Sequence, residues 1–294
     1  MSPASPSVPP QPIKPASEHY ENFPVASLLC PPRLRPAITA IYWFARTADD
    51  IADEGDARPA QRLQDLAAIR DDLFAAAEGR PGSGRWPEVF AALQPVIAEF
   101  ELPVDLLADL LSAFEQDVVK QRYASEAELL DYCRRSAYPV GRLLLHLYGV
   151  HDADSLAQSD TICSALQLIN FWQDLSVDIP RGRIYLPREL WAAHGVDEAQ
   201  LMAREVNPAT TQLIADCARS ARARMLKGAA LPATVARRLG GFDGWRAALE
   251  LGCVIQGGLR ILDKMEAMDH HTLAQRPKLG AWDVLVIFLK ALRS

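Results

Sequence analysis

The sequence predicts an all-α fold, a single helical bundle around a central apolar cavity, on three observations. Apolar residues recur at three- and four-residue spacing almost everywhere after Arg33, and no convincing alternating strand interrupts them. The Pro and Gly clusters that punctuate the chain leave segments of ordinary helical length between them. Two of those segments, far apart in sequence, each place two carboxylates one turn apart, an arrangement suited to helices that face each other across a bundle.

The elements follow in order. A first helix is expected over Leu34–Asp53, entered through Pro31-Pro32 and left at Gly55. A second covers Pro59–Glu78 and stops at the breakers Gly79-Arg80-Pro81-Gly82-Ser83-Gly84. Helices at 87–100 and 103–122 come next. Ser125 with Glu128 matches a capping box and opens a helix running to His146. Pro139, lacking an amide hydrogen, must kink or divide that helix near Tyr138. The long central helix is expected over Ser155–Ile179, stopped by Pro180. A loop over Pro180–Pro187 and short helical pieces lead to about residue 203. Four further helices are expected at 207–227, 231–239, 243–268 and 279–292. No repeat is present, and no linker after residue 18 is long enough to separate a second domain.

Composition narrows the function. The 294 residues are 49% hydrophobic with a net charge of −6, which gives no bulk attraction to nucleic acid. An anionic substrate therefore needs local cations or metal ions. Cys30, Cys133, Cys163, Cys217 and Cys253 are scattered without a CxxC pair, as expected of small apolar residues in a reducing, cytoplasmic setting. Residues 1–17 are rich in Pro and Ser and lack the apolar core of a signal peptide, so a disordered tail is expected before a domain at 18–294. The apolar run Val284–Leu292 is too short to span a bilayer.

The central helix carries Gln167, Asn170, Asp174 and Asp178 on one face, while Leu166, Leu168, Ile169, Phe171, Trp172, Leu175 and Val177 make most of the rest apolar. Such a helix is buried, so the stripe faces a cavity where carboxylates need a cation. Asp and Asn oxygens suit magnesium, which bridges to substrate phosphates. The first helix adds Tyr42, Arg46, Asp49 and Asp53 on one face, with Asp50 turned about 100° away. Arg46 reads either as a phosphate fork or as the intrahelical partner of Asp49 or Asp50. Below the acids, Phe23, Val25, Ala26, Phe44, Leu143, Leu144, Leu147 and Phe171 are candidate walls. A metal-held diphosphate over an apolar tunnel describes an isoprenoid diphosphate. Metal-assisted departure of the diphosphate leaves a carbocation that a dry wall protects.

These residues also resemble a known family. His19-x-x-x-Phe23, Asp49-x-x-x-Asp53, Tyr132-Cys133 with Val140-Gly141, Gln167-x-x-Asn170-x-x-x-Asp174-x-x-x-Asp178 and Gly182-Arg183-Ile184-Tyr185-Leu186-Pro187 recur in the order and approximate spacing of the squalene/phytoene synthases, over residues 19–290. The resemblance implies an isoprenoid synthase helical bundle with magnesium at Asp49, Asp53, Asn170, Asp174 and Asp178. It places His19, Tyr42, Arg46, Tyr132, Gln167 and Tyr185 along the diphosphate or the cation, with Phe23, Ser136, Ala137, Gly141, Phe171 and Gly258 at the substrate pocket. The stretches Glu21–Ser27, Ala45–Asp53, Asn170–Asp174 and Gly257–Leu262 resemble the bacterial branch that makes hydroxysqualene for hopanoids. That branch implies presqualene diphosphate and water as substrates and no NADPH, and no Gly-rich nicotinamide fingerprint is present. Condensing relatives, which join two prenyl diphosphates, are the rival. An inactive scaffold would have lost its metal positions first.

Two departures bear on that choice. Gln173 stands where condensing relatives carry Arg, one cation fewer, and Gly258 stands where many carry Tyr. The glycine reads either as room for the quenching water or as close helix packing. His146 is expected to cap or pack. The segment Trp282–Leu292 reads either as a shallow membrane contact or as the last packed helix, and pathway enzymes are possible partners.

Overall fold

Most helices begin at a proline or a capping side chain. The computed structural model describes residues 29–293. The expected tail, His19 and Phe23 lie outside the described residues.

After a single 3-10 turn at Pro32–Leu34, α1 (Arg35–Asp53) packs on α2 (Pro59–Ala77), α3 (Pro87–Phe100) and α4 (Val104–Val119). Its buried face is Ala37, Ala40, Phe44, Ala48 and Ala52, small side chains around one large one. This face turns Tyr42, Arg46 and Asp49 toward the neighbouring, half-exposed side. Ser125 caps α5 (Glu126–Ser136), its hydroxyl accepting from the Glu128 amide at 3.2 Å. The Glu128 carboxylate instead takes the Ala124 amide at 2.5 Å. Pro139 divides the segment as expected: α5 ends at Ser136 and α6 (Tyr138–Leu147) begins two residues later.

The central α7 (Ala153–Gln173), capped by Asp152 through the Ser155 amide at 3.0 Å, packs on α5, α6, α11 (Pro208–Lys227), α12 (Leu231–Leu239) and α13 (Gly241–Ala267). It does not run unbroken to Ile179. The helix stops at Gln173 and restarts as α8 (Leu175–Asp178), followed by a 3-10 turn at Ile179–Arg181. The physical reason is a competing partner: the Ser176 amide donates to the Thr272 carbonyl at 3.1 Å and so leaves the helical ladder. The Asp178 amide still reaches the Asp174 carbonyl at 2.9 Å, which keeps both carboxylates one turn apart.

Gly182, in the left-handed region at φ 84°, reverses the chain after the turn. The following segment runs beside residues 121–124, with the Ile184 amide donating to the Gln121 carbonyl at 3.1 Å and the Arg188 amide to the Tyr123 carbonyl at 2.9 Å. Among the described residues this isolated pairing of Arg122 with Ile184 is the nearest approach to a strand. The short helices α9 (Arg188–Ala193) and α10 (Glu198–Met202) lead into α11, and α14 (Ala281–Ala291) lies on α13. No described helix is long and apolar enough to cross a membrane.

Candidate active site

The two acidic stripes come within electrostatic range of each other. Arg183, one residue past Gly182, grips Asp53 with both terminal guanidinium nitrogens, one of them at 2.8 Å. That fork holds the Asp53 carboxyl below its usual range. Asp178 is pushed up to about 6, first by burial and then by the Asp174 carboxylate, with Asp53 adding to the effect. The two stripes therefore sense each other's charge.

A third acid joins them that the sequence did not reveal. Asp117 of α4 is pushed up to about 7, chiefly by burial, and Asp53 and Asp49 both raise it further. Its Oδ2 accepts from the Tyr132 hydroxyl at 2.7 Å, while its Oδ1 is buried with no partner among the described residues. Nothing local in α4 marks it among the helix's four acids, Asp105, Asp109, Glu115 and Asp117, since an acid on an amphipathic helix looks like a solvated one.

Arg276 likewise gave no sequence signal. It pairs with Asp174 through Nε, and its Nη2 lies 3.3 Å from the second carboxylate oxygen. Gln173 explains its position. That side chain is fully buried and donates to the Pro277 carbonyl at 2.7 Å, which pins the segment that carries Arg276. Gln173 is thus a buried anchor rather than a missing cation at the diphosphate.

Beside the acids stands an aromatic wall. Phe171 and Tyr185 stack with centroids 3.8 Å apart and planes 7° apart. Tyr132 leans on both, at 6.2 Å and 6.5 Å, and Tyr123 flanks Tyr185 at 5.9 Å. Burial raises the Tyr132 and Tyr185 hydroxyls well above the usual phenol range, so both stay protonated donors. The cluster adjoins the acids through the Tyr132–Asp117 hydrogen bond, and π faces in such a place tolerate positive charge.

Other expected positions divide. Arg46 makes the intrahelical pairs, to Asp50 at 2.7 Å and Asp49 at 3.5 Å. Tyr42 and Gln167 are half-buried, Asn170 is exposed at the edge of the stripe, and Ser136 and Ala137 lie at the α5–α6 break with the Ser136 hydroxyl oxygen buried. Gly141 and Gly258 stand at helix contacts. A Cβ at Gly141 would press on Ser159 and Cys163 of α7, and one at Gly258 would lie 2.8 Å from Met225 and 3.0 Å from Leu166. Both mark close helix packing rather than open pocket wall, so Gly258 leaves no room for water on that side. Phe44, an expected wall, packs edge-on against Phe90 at 6.2 Å in the core. His146 packs as expected, donating to the Phe100 carbonyl at 2.7 Å. Burial pushes the Cys30, Cys133 and Cys217 thiols up to about 12, which makes them inert.

Among the described residues, no group of three or more His, Cys, Asp or Glu is arranged to hold a metal ion. Arg183 and Arg276 occupy two of the expected carboxylates instead. The donor chemistry nonetheless fits a hard cation: buried, mutually repelling carboxylates and an orphaned Asp117 oxygen describe a cleft short of positive charge.

The profile of the family described as squalene/phytoene synthase matches residues 16–283. The chain belongs to the squalene/phytoene synthase family. It is 32% identical over 272 residues to a hydroxysqualene synthase of Sinorhizobium fredii, covering 92% of this chain and 87% of that protein. It is also 30% identical over 273 residues to a phytoene synthase of Thermus thermophilus, covering 93% and 88%. The crystal structure of squalene synthase HpnC from Alicyclobacillus acidocaldarius superposes with a TM-score of 0.77 at 34% identity, over 87% of this chain and 91% of that one. The fold is therefore the all-α isoprenoid synthase bundle, and this member of the family is a prenyl diphosphate-processing enzyme.

Proposed function

We propose that this protein converts presqualene diphosphate and water to hydroxysqualene and diphosphate. The observation that carries the reading is the meeting of the two acidic stripes, through Asp53 and Asp178, against the Tyr132–Phe171–Tyr185 wall. Full-length similarity to hydroxysqualene synthase supports the choice of substrate.

Asp49, Asp53, Asn170, Asp174 and Asp178 would hold magnesium, which supplies Lewis acidity to the leaving diphosphate oxygens. Arg183 and Arg276 neutralise Asp53 and Asp174 and would offer their guanidinium donors to the diphosphate when it binds. The carbon–oxygen bond breaks with its electron pair leaving on diphosphate. The cation rests against the π faces of Phe171 and Tyr185 until water adds its oxygen, and the surplus proton passes to the released diphosphate. No electron donor enters this balance, so no NADPH is needed.

Condensation of two prenyl diphosphates is the second reading, favoured by the similarity to a phytoene synthase. Gln173 and Gly258 do not argue against it, since both are packing residues. Purified protein with magnesium and no nicotinamide, given presqualene diphosphate and farnesyl diphosphate in separate tubes, decides. A thirty-carbon alcohol from the presqualene tube is expected. Condensation in the farnesyl tube with no alcohol in the other overturns the proposal.

A further inference from the structure

The face of α14 turned away from α13 is unusually apolar. Of its eleven residues only Asp283, Ile287 and Ala291 are buried, at i, i+4 and i+8. At 100° per residue, Val284, Phe288, Leu292, Leu285, Leu289 and Trp282 then sweep an outward arc of about 160°. Trp282 is 70% exposed and Val284 61%. Such a face usually finds a partner.

Charge identifies the partner. Between residues 274 and 293 the one acid is Asp283, and it is spent internally. It accepts from Arg260 at 2.7 Å, from Lys264 at 2.8 Å and from the Gly280 amide at 2.8 Å. The exposed charges of the same segment, Lys278, Lys290 and Arg293, are all cationic, although the whole chain carries −6. Lys290 stands 3.7 Å from Asp263 on the side of α14 that faces α13, while Lys278 and Arg293 flank the two ends of the helix. A wide apolar arc on a segment whose exposed charges are all cationic complements an interface of apolar chains under anionic headgroups.

We propose that α14 docks this protein on anionic bilayers, lying in the interface plane with Trp282, Leu285, Phe288 and Leu289 inserted. The choice of a bilayer draws its purpose from the presqualene diphosphate reading, since a thirty-carbon substrate resides in membrane, but the contact is testable without turnover.

The full chain is mixed with vesicles of phosphatidylcholine alone or with phosphatidylglycerol added, and sedimented. Binding to the anionic vesicles with a blue shift of tryptophan emission is expected, weakened in part by salt. Leu285→Glu with Leu289→Glu, both at exposed positions, is expected to lower vesicle partitioning at least about tenfold while circular dichroism and Tm stay unchanged. Absence of binding by the unaltered chain overturns the proposal. So does a dimer, seen by ultracentrifugation without vesicles, that the double substitution dissolves, because a second copy is then the occupant. So does equal binding by the variant. Turnover on detergent-dispersed presqualene diphosphate is read in parallel: its failure strikes the proposed reaction alone, and lost vesicle binding with intact turnover strikes the docking alone.

Discussion

Arg183 reaches Asp53 across 130 residues of chain and takes both of its oxygens, so the cleft is bridged by an arginine where the proposed metal would sit. The two cannot hold Asp53 together at full strength. Removing the competitor with Arg183→Gln is expected to tighten magnesium binding in the absence of substrate roughly fivefold, equivalent to about 1 kcal/mol. Isothermal titration with magnesium measures it; weaker binding in the variant would mean that Arg183 supports the metal site rather than blocking it.

The carboxylates themselves are expected to be indispensable. Asp49→Asn and Asp174→Asn should each lower turnover of presqualene diphosphate by about a thousandfold or more. Both are partly exposed at the cleft, so far-ultraviolet circular dichroism should be unchanged. Full activity in either would break the metal assignment.

Asp117 makes the protein less stable as pH rises. Its folded pKa of about 7 lies above the ordinary carboxyl value of about 3.9, so between these limits the folded state keeps a proton that the unfolded chain has released. Stability therefore falls from about pH 4 to about pH 7, and Asp178, raised to about 6, adds the same sign. Asp117→Asn mimics the protonated form. It should flatten that slope and raise stability near neutrality by on the order of 2 kcal/mol, as read from urea midpoints without divalent ions across the range. An unchanged slope would place the charge elsewhere.

Gln173→Arg should damage the fold before it alters the substrate. The position is fully buried and bonded to the Pro277 carbonyl, so an arginine there loses that bond and buries a charge. A loss of roughly 3 kcal/mol in urea unfolding is expected, with Arg276 displaced from Asp174. A stable variant that condenses farnesyl diphosphate would restore the electrostatic reading of this position.

Helix positions were legible in the sequence because breakers and caps act locally: Pro139 divides α5 from α6, and Ser125 caps α5. The acid stripes were legible for the same reason, being set by spacing along one helix. What escaped was every partner supplied from a distant element. Arg183, Arg276 and Asp117 meet their partners only through tertiary packing, and the break at Asp174 depends on the Thr272 carbonyl nearly a hundred residues on. Gly258 stayed open between two readings for the same reason, because a glycine facing a helix and a glycine facing a void look alike in one dimension.

The order of synthesis is written into these long-range pairs. The arginine that neutralises Asp53 is made 130 residues after it, and the one that neutralises Asp174 follows 102 residues later. A ribosome therefore releases α1 with Asp53 uncompensated, while Arg46 serves Asp49 and Asp50, and can complete the cleft only once nearly the whole bundle has emerged. The nascent chain stays dependent on solvent and free ions at this one place until its last turns are translated.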